Sequence, residues 1–153
     1  MMRLPDVGAF GLAVDVGGDP IVVDISACTM AEGKIRLALA PWVAHSWHVP
    51  LYVSARGLTT STMYAGERAL QIDFDFVDHR LLIAASDAPV VALPLAPRSV
   101  AEFHAEVMSA LRSLGIDVAI LTRPVEVEEA IPFEEDTVHA SYDRDQVNRF
   151  WRA

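Results

Sequence analysis

Between residues 45 and 80 the chain gathers most of the side chains that could do chemistry: His45, His48, Arg56, Asp73, Asp75, Asp78, His79 and Arg80. A guanidinium fork such as Arg56 holds a carboxylate or phosphate through paired N–H donors. An imidazole such as His48 or His79 moves protons near neutral pH when a carboxylate orients it. The expected assignment follows from those roles. His48, His79 and Asp75 are the catalytic candidates, Arg56 and Asp73 the ligand-binding ones, and Tyr52 and Trp47 the aromatic walls of a pocket. The ligand class that fits is a small anion or zwitterion.

Each candidate also has a plainer reading. The arginines and aspartates could simply pair across strands on a solvated face. Trp42, Trp47 and Tyr52 could be core or interface residues. The spacing His45-Ser46-Trp47-His48 could chelate, with Asp75 or Asp78 completing a site, but no second ligand pair is fixed by spacing, so no metal is expected. No cofactor is expected either. A Gly-x-Ser-x-Gly elbow is missing, and Ala55-Arg56-Gly57-Leu58-Thr59-Thr60-Ser61 lacks the phosphate-loop spacing. Cys28 reads as an inert thiol and His104 as a packing residue.

The elements that must position these groups are mostly strands. Leu70, Ile72, Phe74 and Phe76 alternate with Gln71, Asp73 and Asp75; Val49, Leu51, Val53 and Ala55 alternate with Tyr52, Ser54 and Arg56. Period-two alternation marks a sheet with one buried face. Paired as an antiparallel hairpin, these two strands would turn their polar residues to the same side. Ile35 to Ala40 alternates as well, which would bring Arg36 to that surface, and 80–86, 90–95 and 116–121 read as further strands. Gly17-Gly18-Asp19-Pro20 suggests a hairpin joining 10–16 to 21–26. One helix is well marked, about 99–114: Ser99 and Glu102 have the capping-box spacing, Val100, Phe103, Val107, Leu111 and Leu114 form a stripe, and Gly115 stops it. Asp143 and Gln146 open a short C-terminal helix ending near Trp151. The fold class is α+β: a mostly antiparallel meander with one helix packed on a face, in a single domain over 1–153.

Composition narrows the partners. A net charge of -9 in 153 residues argues against a nucleic-acid surface, which needs clustered Lys and Arg. Half the residues are hydrophobic (52%, mean hydropathy +0.29), yet no apolar run reaches the roughly 18 residues of a membrane span, so this surface belongs to a core or an interface. One cysteine excludes an internal disulfide, and Met1 to Phe10 lacks the order of a signal peptide, so a cytoplasmic location is expected.

Several longer stretches carry a resemblance. Gly33-Lys34-Ile35-Arg36-Leu37, His45-Ser46-Trp47-His48-Val49-Pro50-Leu51-Tyr52-Val53, Ala55-Arg56-Gly57-Leu58-Thr59-Thr60 and Ile72-Asp73-Phe74-Asp75-Phe76-Val77-Asp78-His79-Arg80-Leu81 are the first four. His139-Ala140-Ser141-Tyr142-Asp143 and Asn148-Arg149-Phe150-Trp151-Arg152 complete the set. Together they resemble the bacterial domain-of-unknown-function family 5996, over about residues 32–152. The resemblance implies no activity. It implies a helix ahead of the Gly-Lys segment, where 8–29 instead reads as a divergent strand pair. Family members also continue into a second half beyond the Asn-Arg-Phe-Trp-Arg helix, which implies a shortened relative that completes its structure by self-association.

Two functions from different classes remain. One is a small-molecule-binding domain, with or without catalysis, on the polar sheet face. The other is a non-catalytic module that forms a homodimer, its polar face merely ion-paired. A hollow where His48, Arg56, Asp73, Asp75 and His79 converge would mark the first, and a flat paired face the second.

Overall fold

The computed structural model describes residues 12–15, 20–23, 26–46, 48–124 and 131–152. Its centre is an antiparallel sheet of six strands: β3 (Tyr52–Ser54), β4 (Gly57–Thr59), β5 (Met63–Ala65), β6 (Arg68–Asp75), β7 (Arg80–Ala85) and β8 (Val91–Pro94). The order is β3-β4-β6-β7-β8, and β5 pairs with the start of β6. A separate hairpin, β1 (Leu12–Asp15) with β2 (Pro20–Val23), sets Leu12 opposite Val23. Three helices complete the α+β fold: α1 (Ser26–Leu39), α2 (Val100–Ser113) and α3 (Arg144–Arg152).

Strand β6 organises the core. Leu70, Ile72 and Phe74 are buried on one face, with Leu81 and Ile83 beside them on β7. Phe103, Val107 and Leu111 of α2 cover that face. The capping box forms: Ser99 Oγ accepts from the Glu102 N–H at 3.2 Å, and Glu102 Oε2 accepts from the Ser99 N–H at 3.0 Å. The next two N–H groups of α2 donate to the carbonyls of His139 and Asp136, so the C-terminal segment is tied to the helix start. Gly115, at φ +69, ends it.

Three elements differ from the sequence expectation. Ser26–Leu39 is a helix where 35–40 reads as a strand and 26–29 as the end of a strand pair, and Leu37 is exposed while Lys34 and Arg36 are buried. The segment is rich in helix formers, and a five-residue window cannot separate a helical stripe from alternation. The strand expected over 49–56 is split. Only Tyr52–Ser54 is extended, Val53 is exposed, and the chain turns back at once into β4. So β4, not β3, lies beside β6, with Leu58 opposite Phe74. Residues 116–121 pair with no strand among the described residues, although Ile116 and Val118 are buried alternately, as in a strand.

Gly57 makes the β3–β4 turn possible. Its φ is +152, and a Cβ built there would stand 2.0 Å from the Phe74 carbonyl oxygen. We expect Gly57→Ala to lower stability by about 3 kcal/mol in urea unfolding. Gly66→Ala, at φ +66 with open space around it, should cost only about 1 kcal/mol of backbone strain.

Candidate functional site

The polar groups fall into two places. The first is the end of the β6–β7 hairpin. Asp75, last in β6, sits opposite both Gly57 and Arg80. Its Oδ2 accepts from Arg56 Nε at 3.1 Å and Nη2 at 2.9 Å, and its Oδ1 accepts from the Val77 and Asp78 N–H groups. Asp78 Oδ2 in turn accepts from Arg56 and from Arg80, each at 2.8 Å. Burial pushes the Asp75 carboxyl upward, but the Asp78 N–H, the Arg56 guanidinium and the Val77 N–H outweigh it and hold the pKa below the ordinary value. The stability this adds is present above the ordinary carboxylate range and is lost as pH falls through the depressed value. Two arginines and two aspartates leave the knot neutral, with every Asp75 oxygen occupied.

His79 follows immediately, in the left-handed region at φ 53. Its Nδ1 is 2.9 Å from the Tyr142 hydroxyl and its Nε2 is 3.3 Å from Asn148 Nδ2, which also donates to the Phe76 carbonyl. Both ring nitrogens therefore hold α3 and its approach against the hairpin. Burial, aided by the Arg144 charge, lowers the imidazole pKa, against the pull of Asp75, Asp145 and Asp78. Asp73 lies on the same sheet face as Asp75 but accepts from Gln71 Nε2 at 3.0 and 2.9 Å.

The second place lies between α1 and the loop that leads into β3. Ala31 through Arg36 are all buried, although Glu32, Lys34 and Arg36 are charged types. Arg36, 6% exposed, donates from Nε to the His48 carbonyl and from Nη1 to Ser61 Oγ at 3.1 Å. Its guanidinium lies 4.8 Å from the centre of the Tyr52 ring. His48, 4% exposed, accepts the Val43 N–H on Nδ1 at 3.1 Å. A neutral imidazole that accepts on Nδ1 carries its proton on Nε2, and that buried Nε2 has no partner among the described residues. Glu32 is fully buried with neither carboxyl oxygen partnered among the described residues, and burial, opposed only in part by its own backbone N–H, pushes its pKa up to about 8.

The backbone here is unusual too. His45 and Ser46, each at φ 57, carry the chain into His48, and Ser61 has φ 53. With His79 these are the non-glycine residues at positive φ among the described residues, a strain that clusters at functional positions. Ser61 is held there by Thr59 Oγ1, which accepts its N–H at 2.9 Å, and by buried Thr60, whose hydroxyl donates to the Ser61 carbonyl.

The candidate residues thus separate. Arg56, Asp75 and His79 meet at the hairpin end, Asp73 stands apart with Gln71, and His48 and Tyr52 belong to the α1 region. Trp47 lies outside the described residues. Arg36 reaches the site from a helix rather than from the sheet, and Glu32 and Ser61 had not been singled out. For Glu32 the signal was a carboxylate in a run of small and apolar residues; for Arg36 and Ser61 it was their place in the Gly-Lys and Arg-Gly-Leu-Thr-Thr stretches. Among the described residues no group of His, Cys, Asp and Glu is arranged to hold a metal, and no helix is long and apolar enough to cross a membrane.

The chain belongs to the family of unknown function DUF5996, whose model matches residues 22–153. No curated protein and no solved structure matches it. The matched region spans α1, the sheet, α2 and α3, and so contains both polar groups.

Glu32 gives the region a pH signature. Unfolded, the carboxyl ionises near 4.5; folded, it keeps its proton until about 8. Folding stability contributed by this group is therefore full below the lower value and falls as pH rises between the two, by up to ~1.4 kcal/mol per pH unit. Urea unfolding of wild type from pH 5 to 8 should show that decline, and Glu32→Gln should remove it. An unchanged slope in the variant would show that Glu32 does not hold the proton.

Proposed function

We propose that this chain is a small-molecule-binding domain whose site lies at the junction of α1, the 41–51 loop and β3, around His48, Arg36, Tyr52 and Ser61. One observation carries the reading: His48 Nε2 is a buried donor with no acceptor among the described residues, in a residue whose other nitrogen and carbonyl are both occupied. Leaving such a donor unsatisfied costs about 1–3 kcal/mol, a cost that a ligand acceptor removes. The role this gives His48 is donation, since neither ring nitrogen stands bare to act as a base. The single cysteine supports a cytoplasmic setting.

A thermal-shift screen of small metabolites tests this. At a hundredfold excess over Kd, a ligand should raise the wild-type Tm by about 5 °C. His48→Phe keeps the ring and removes the donor, and should abolish the rise; His48→Gln restores an N–H at similar reach and should recover part of it. Equal shifts in wild type and His48→Phe would move the site elsewhere.

A second reading, a self-associating module, is favoured by the neutral Arg56–Asp75–Asp78–Arg80 knot and by exposed Trp42, Val43 and Val53 near edge strand β3. It expects a concentration-dependent dimer in sedimentation that Val53→Lys dissociates. A monomer at every concentration would end it.

A further inference from the structure

We infer that the ligand of the α1 site presents an oxyanion, a carboxylate or a phosphoryl group, as the counter-charge of Arg36. The inference rests on the binding site proposed above and adds the chemistry of what fills it. Arg36 is a buried cation whose partners are all neutral: the His48 carbonyl, the Ser61 hydroxyl and the face of Tyr52. Among the described residues no carboxylate lies within ion-pair distance of it, whereas exposed Arg56 and Arg80 and partly buried Arg68 each have one. A guanidinium removed from water keeps its charge, so it cannot escape the penalty by losing a proton. The hydrogen bonds it makes offset part of that penalty, and a bound anion would offset the rest.

The carboxylate that sequence places best to neutralise Arg36 does not do so. Glu32 is one helical turn back, the spacing at which acid–base pairs commonly form. Yet its oxygens have no partner, and burial keeps it protonated at neutral pH. Among the described residues nothing neutralises Arg36, so its positive charge is open to a bound anion. His48 supplies a further donor from the residue that Arg36 already holds through its carbonyl. A planar cation with a neighbouring N–H donor and a hydroxyl is the recognition set of an oxyanion.

The experiment titrates wild type, at ionic strength held constant with chloride, with inorganic phosphate, with straight-chain monocarboxylates, and with the matching neutral amides. Binding is followed by Tm and by the Arg36 Nε–H and His48 Nε2–H signals in nitrogen-15 spectra, which need no variant. Saturable shifts of both signals with phosphate or with carboxylates, and none with amides, are expected; the series that responds identifies the group. Arg36→Gln should weaken that response at least tenfold and Arg36→Lys less. Tyr52→Leu, at a half-exposed position that should tolerate the change, should weaken it a few-fold even if the arginine variants do not fold. Amides that bind as well as the acids in a His48-dependent manner would overturn the oxyanion and leave the site standing. Failure of every compound, charged or neutral, would remove the site itself.

Discussion

The hydrogen bond from Arg36 Nε to the His48 carbonyl joins parts of the chain that share no strand pairing. Helix α1 lies against β5 and α2, while His48 sits in the loop that feeds β3 at the sheet edge. Through Nη1 the same guanidinium reaches Ser61, in the link between β4 and β5. One side chain thus fixes where the helix, the 41–51 loop and the 60–62 link stand relative to each other. Gly33 shows how close that approach is: a Cβ there would meet Val49 Cγ1 at 3.5 Å. Ile35 and Met63, with Leu39 and Leu51 packed against them, join the same segments to the apolar core, and beside that packing the region carries positive-φ residues and unpaired polar atoms together.

The hairpin end works by the opposite principle. Asp75 is surrounded by two backbone N–H groups and a bidentate arginine, so its charge is fully met and its position is set by the sheet register. Asp78 and Arg80 extend the pairing into solvent, where ion pairs add little to stability. A group satisfied in this way holds structure. A group left wanting, as His48 and Glu32 are, has capacity for something else.

How much of this was legible depended on the length of each pattern. Leu70 to Phe76 alternates for seven residues, and Ser99 with Glu102 gives a local capping rule, so β6 and α2 stood out. Asp75 and Arg56 were expected on one surface and do meet, although β4 intervenes where a direct pairing with the Tyr52 strand had been expected. Helix α1 was missed because Lys34 and Arg36 looked like the wet side of a strand. Charge is the usual marker of exposure, and a helix that buries its charged side chains inverts it. Tyr142 and Asn148 could not be connected to His79 from sequence, since contacts 63 and 69 residues apart leave no local spacing to read.

The indole N–H of Trp151 donates to the Ser54 carbonyl across 97 positions. Ser54 belongs to the strand at one edge of the sheet, and α3 is the last helix described. During synthesis Ser54 is made well before the indole that donates to it, since chains grow at about 5–20 residues per second. Closing so distant a contact carries the loop entropy of nearly a hundred residues and places it late in folding. For some seconds of each molecule's life, then, the Ser54 carbonyl at the sheet edge has not yet met its indole donor.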